Sequence, residues 1–147
     1  LAGFLESGVP VGLGVDGSAS NDASDLLAET RQALMVSRLA RALERSDRPM
    51  VDARTALRVA TRGGATVLGR SDIGSIEPHK AADVAIYRLD EVTMAGVSDP
   101  VAGLVLCTPS RVDRLVVGGK TVVHDGVLVG IDLGSHLEEH RRLAGSL

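Results

Sequence analysis

Two places in this 147-residue chain combine side-chain type and spacing in a way that could carry chemistry. The first is Asp16. It closes the apolar run Val11-Gly12-Leu13-Gly14-Val15 and is followed at once by Gly17-Ser18-Ala19-Ser20-Asn21-Asp22. Gly, Val and Leu suit a buried parallel strand, and small polar residues after it suit a loop lining a site at the strand's C-terminal end. A carboxylate at that point can bind a metal or move a proton. It can equally form a turn or cap a helix. Ser18, Ser20 and Asn21 offer donors and acceptors to a polar heterocycle, or else order the entry of the following helix. The second place is His136-Leu137-Glu138-Glu139-His140. Histidines four apart share one helix face and could hold zinc, in the inverted His-x-x-Glu-His pattern of some proteases. That pattern needs a third protein ligand well downstream, and seven residues remain after His140. A solvated terminal helix accounts for the same residues.

The elements that must position these groups follow from periodicity and caps. Leu1 to Ser7 reads as the end of a helix stopped at Gly8, and Val11 to Val15 as a strand. Asn21 or Asp22 can cap a long helix running to about Arg45. Its apolar stripe is Leu26, Leu27, Thr30, Ala33, Leu34, Ser37 and Ala40. Asp52 caps a second helix and Thr61 a third, short one ending at Gly69. The character changes near residue 70. Val84 to Tyr87 reads as a strand. Leu115-Val116-Val117, Gly118-Gly119 and Thr121-Val122-Val123 give a hairpin, and Asp125-Gly126 turns into Val127-Leu128-Val129. Val101 to Cys107 suits a helix or a strand. Asp132 caps a last helix.

The wording Gly14-Val15-Asp16-Gly17-Ser18-Ala19-Ser20-Asn21 resembles the last barrel strand of the amidohydrolase superfamily, in its cytosine/guanine deaminase-like branch. It looks most like the 8-oxoguanine deaminase and triazine hydrolase group. Ala60-Thr61-Arg62-Gly63-Gly64-Ala65 and Leu68-Gly69 resemble the helices that follow the barrel. Ile73-Gly74-Ser75-Ile76-Glu77-Pro78-His79-Lys80-Ala81-Ala82-Asp83-Val84-Ala85 resembles the re-entry into the small β-domain. Asp99-Pro100-Val101-Ala102 and Val116-Val117-Gly118-Gly119-Lys120 continue the match. His79 departs from it, because the family usually has Gly there for a turn.

The resemblance implies an α/β fold. Residues 1–70 would hold the last strand and helices of a TIM-like metal-dependent hydrolase barrel. Residues 71–147 would hold the C-terminal strands of a composite β-sandwich with a terminal helix. It implies hydrolytic deamination of a nitrogen heterocycle such as 8-oxoguanine or guanine through metal-activated water. Asp16 would be the metal ligand and proton shuttle, and Ser18, Ser20 and Asn21 would contact substrate. The cofactor would be one divalent metal, zinc or else iron, which this chain alone could not hold. The family's His-x-His pair, further His and general-base Glu would lie upstream, in a missing N-terminal part that is the chain's natural partner. Beginning at Leu1 rather than Met fits such a segment, expected to be inactive alone.

Composition narrows the rest. Hydrophobic residues make up 44% and charged residues 24%, which suits a globular chain. Phe4 and Tyr87 are the only aromatics, so the core must be aliphatic. A net charge of −3 without a basic block argues against nucleic acid, as does the lack of stacking aromatics. No apolar run reaches the roughly 18 residues of a membrane span, and no signal peptide opens the sequence. Cys107 stands alone, which suits a reducing compartment, and a cytoplasmic location is expected. The paired glycines lack the spacing of a nucleotide loop. A homo-oligomer is compatible with all of this. So is a reading of another class, a structural or assembly module without a metal site.

Overall fold

The computed structural model describes residues 1–147 except 22, 46, 48, 108–110 and 147. The chain divides into two compact units. Unit 1 is Leu1–Ala81 with Arg88–Ser110, and unit 2 is Ala82–Tyr87 with Arg111–Leu147. A single change of character near residue 70 therefore understates the topology: the chain leaves unit 1 at Ala82 and returns to it at Arg88.

Unit 1 is helical. It contains α1 (Ala2–Glu6), α2 (Leu26–Leu43), α3 (Ala53–Arg58), a π turn (Val59–Gly63), α4 (Gly64–Val67), a 3₁₀ turn (Val92–Met94) and α5 (Pro100–Leu106). The cap of α2 is Asp25, whose Oδ1 accepts from the amides of Leu27 at 2.8 Å and Ala28 at 3.2 Å. Sequence reasoning places that cap at Asn21 or Asp22, and Asp22 lies outside the described residues. Asn21 caps nothing. It makes a local turn, its Oδ1 accepting from Ala23 N at 3.2 Å. Within the expected stripe Thr30, Leu34 and Ser37 are buried and Leu27 and Ala33 half-buried, while Leu26 at its start is exposed. Ala40, at its far end, is exposed.

Asp52 caps α3 through Thr55 N at 2.7 Å. Bonds to the Thr55 side chain and then its amide hold the Asp52 carboxyl below the usual carboxylate range. Thr61 does not cap a new helix. Its hydroxyl donates back to Leu57 O at 2.8 Å, and the helical run continues through the π turn into α4. Asp99 caps α5 through Val101 N at 2.9 Å, with Pro100 in the first turn. Leu34, Val51, Ala53, Ala56 and Val105 form the core between α2, α3 and α5, with Leu57, Ala102 and Leu106 against it. The core is aliphatic, as the composition requires.

Val11–Val15 is not a strand. Residues 9–17 carry no ladder pairing. A parallel barrel strand takes its hydrogen bonds from two neighbours, and none of the described residues supplies either one.

Unit 2 is a four-stranded antiparallel sheet in the order β1 (Val84–Ile86), β2 (Arg114–Val117), β3 (Lys120–His124) and β4 (Val127–Leu128), followed by α6 (Leu133–Ala144). Gly118 and Gly119 join β2 to β3 at φ of 55° and 78°, the paired positive values of a tight hairpin turn. Asp83 Oδ1 accepts from Gly118 N at 2.6 Å and ties the turn to the β1 end. Among the described residues, Val123 is the buried hydrophobic of this unit. Ile86, Val117, Val127, Val129, Ile131 and Leu143 are all exposed. His79 has φ of 68°, so this position does have the left-handed geometry that glycine serves.

Candidate metal and substrate site

Asp16 ends the irregular segment that crosses unit 1. Its φ is 63°, a left-handed value that Asp tolerates better than most residues. Its Oδ1 accepts from Gly17 N at 2.7 Å. Among the described residues its other oxygen meets no protein donor, and the residue is exposed. The carboxylate is thus oriented by its own loop and keeps an oxygen for a ligand outside this chain.

The loop after it is a compact turn. Ser20 N and Asn21 N donate to Gly17 O at 2.8 and 3.0 Å. Asn21 Nδ2 donates to Glu29 Oε1 at 2.7 Å, which ties the loop to the first turn of α2. Ser18 and Ser20 are exposed, and Asn21 is half-buried. Asp16, Ser18, Ser20 and Asn21 therefore share one turn, but Asn21 spends its amide on Glu29 and its carbonyl on Ala23. In this arrangement the two serines are the residues with free polar groups to offer.

One oxygen of Asp16 suits a hard or borderline divalent cation such as zinc or iron. Among the described residues no three His, Cys, Asp or Glu side chains cluster closely enough to hold a metal. Asp16 fits the cation as one ligand of a larger set. His136 and His140 lie on α6, a helix with no buried residue, and they join no such cluster. The self-contained zinc reading finds no third ligand among the described residues.

Sequence reasoning missed the part played by four residues. Glu29 holds the loop; an acid in the first turn reads as a dipole effect, and its tie to Asn21 is invisible without the turn. Asp25 supplies the cap. Gly63 and Gly64, read as part of a post-barrel helix and as lacking nucleotide-loop spacing, meet the Asp16 segment. A Cβ on Gly63 would lie 2.2 Å from Val11 O, and one on Gly12 would lie 2.8 Å from Gly64 Cα. A glycine pair inside a helical run was the available signal, since such residues usually have a packing reason.

The amidohydrolase family profile matches residues 1–122. The 8-oxoguanine deaminase of Pseudomonas aeruginosa is 48% identical over 141 residues, covering 96% of this chain and 30% of that protein. The structure of atrazine chlorohydrolase from Arthrobacter aurescens complexed with zinc aligns with a TM-score of 0.86 at 39% identity, covering 97% of this chain and 31% of that one. An adenosine deaminase from Xanthomonas campestris with bound zinc aligns with a TM-score of 0.83 at 29% identity, covering 99% and 33%. The chain spans about a third of the length of these proteins. Over that third it shares the α/β fold of these metal-dependent hydrolases.

Proposed function

Because the chain belongs to the amidohydrolase family, we propose that it is the part of a metal-dependent aminohydrolase that carries the carboxylate Asp16. The whole enzyme would hydrolyse a C–N bond on a nitrogen heterocycle such as 8-oxoguanine or guanine. Unit 1 would supply the end of the barrel and unit 2 the C-terminal sandwich strands. The remaining metal ligands and the general-base Glu would come from chain preceding Asp16.

The observation that carries this reading is the oriented, half-engaged Asp16 carboxylate beside a polar turn, in a chain 48% identical to an 8-oxoguanine deaminase. A bound divalent metal, zinc by preference, supplies Lewis acidity at the attacking water. Asp16 would accept one proton of this water and pass it to the departing exocyclic nitrogen, which leaves as ammonia; the water's second proton ends on the ring nitrogen as the ring carbon becomes a carbonyl. Ser18 and Ser20 would bind polar edges of the heterocycle. Asn21 would act by fixing the turn, because its amide is engaged with Glu29. The exposed apolar side chains of unit 2 support further chain packing on that sheet. We assign the enzyme to the cytoplasm; no helix among the described residues is long and apolar enough to cross a membrane.

The test is ammonia release. The zinc-loaded longer protein containing this chain should deaminate 8-oxoguanine or guanine, and the 147-residue chain alone should not. Deamination by the isolated chain would overturn the reading, and so would inertness of the longer protein toward a panel of aminated heterocycles.

A further inference from the structure

The helical run from Ala53 to Val67 carries Gly63 and Gly64 at its middle. Both have ordinary right-handed helical angles, φ −60° and −57°. Neither needs glycine for its backbone conformation, and Ala would favour the helix by about 1 kcal/mol at each. Space explains one of them. A Cβ on Gly63 would sit 2.2 Å from Val11 O, whereas one on Gly64 would meet nothing within 4 Å. From the other side, a Cβ on Gly12 would sit 2.8 Å from Gly64 Cα. The two backbones therefore touch at Val11–Gly12, four residues before Asp16. They meet where the helix is widened by its π turn, Val59–Gly63.

The crossing matters because the Asp16 segment has no ladder pairing in this chain. We infer that the close backbone crossing permitted by Gly12 and Gly63 is a positioning device that sets how far Asp16 reaches toward the metal and the reacting water. This rests on the reading of Asp16 as metal ligand and proton acceptor. Opening the Gly63 contact from 2.2 Å to the 3.0 Å below which real Cβ contacts are essentially never found shifts the segment by roughly 1 Å. A displacement of that size can cost about a hundredfold in rate. Gly63 and Gly12 are positioning residues; they touch neither metal nor substrate.

The test uses the full-length enzyme containing this chain. Gly63→Ala is compared with Gly64→Ala, which adds the same methyl group to the same helix without a clash. Each variant is assayed for kcat, for zinc dissociation constant and, after replacement of zinc by cobalt, for visible absorption. Gly63→Ala should lower kcat about a hundredfold, weaken zinc binding and change the cobalt bands. Gly64→Ala should match the unmodified enzyme in all three. If Gly63→Ala does not fold, Gly12→Ala, with its milder 2.8 Å contact, should show the same changes in smaller degree. Unaltered cobalt bands and zinc affinity in a folded Gly63→Ala or Gly12→Ala enzyme would overturn the inference, as would equal losses in Gly64→Ala. Asp16→Asn separates the two claims. If it stays active, the reading of Asp16 fails; if it is inactive while Gly63→Ala is normal, only the positioning claim fails.

Discussion

The side-chain amide of Asn21 donates to the Glu29 carboxylate at 2.7 Å, and this bond spans eight residues from the loop after Asp16 to the first turn of α2. It joins the candidate site to the longest helix of the chain. Among the described residues the loop's remaining bonds are local, from Gly17 N to Asp16 Oδ1, from Ser20 N and Asn21 N to Gly17 O and from Ala23 N to Asn21 Oδ1. Glu29→Ala removes the non-local tie. Hydrogen exchange at residues 17–23 should then quicken. In the full-length enzyme, kcat/KM should fall about tenfold, the equivalent of the roughly 1.5 kcal/mol at the lower end for a bond to a charged group. Unchanged exchange would show that the turn holds itself.

Asp25 rather than Asn21 satisfies the free amides that open α2. Asp25→Ala should destabilise the protein by about 1 kcal/mol, within the roughly 0.5–2 kcal/mol range for lost caps, and Asp25→Ser should recover most of it. Urea unfolding of the three proteins measures the difference. Equal midpoints for Asp25→Ala and the unmodified protein would place the cap elsewhere.

Stability should weaken in acid for a reason visible at the helix starts. The Val101 amide, then that of Ala102 and the Arg54 guanidinium, hold the Asp99 carboxyl below the usual range. Asp52 is lowered likewise, by Thr55. A carboxylate depressed in the folded state contributes stability above its unfolded value, about pH 4. It loses that contribution as pH falls through the lower folded value. The urea midpoint should therefore drop as pH falls below about 4. Asp99→Asn keeps the cap without the titrating charge and should flatten part of that slope. Parallel pH curves for the two proteins would mean that Asp99 contributes nothing to it. Asp52 is exposed and Asp99 half-buried, so salt should blunt the effect.

Much of the architecture was legible because local rules decide it. Asp52 and Asp132 announce their helices through bonds to the amide three residues on; Asp99 does the same for α5, where the sequence left Val101 to Cys107 open between helix and strand. Gly118-Gly119 requires positive φ at both turn positions and so fixes its hairpin. The stripe through Thr30, Leu34 and Ser37 fixes the inner face of α2. Non-local physics decided the rest. Val11 to Val15 has the composition of a buried strand, but a strand exists only with partners. Thr61 looked like a cap because a hydroxyl near glycines suits one; inside a continuing helix it bonds back to Leu57 instead. At the candidate site, type and position single out Asp16, whose role at a metal is the proposal made above. Its tether through Asn21 and Glu29 and its glycine crossing depend on contacts between segments distant in sequence, which no local pattern encodes.

The claim on which the account turns is that Asp16 binds the metal and takes the proton. The measurement is kcat and zinc content of the full-length enzyme with Asp16→Asn, which keeps the side chain's shape and removes its charge. The account predicts a fall in kcat of at least about a hundredfold, in line with general acid–base contributions, together with weakened zinc retention. Near-normal turnover with full zinc content would contradict it and reduce Asp16 to a turn former.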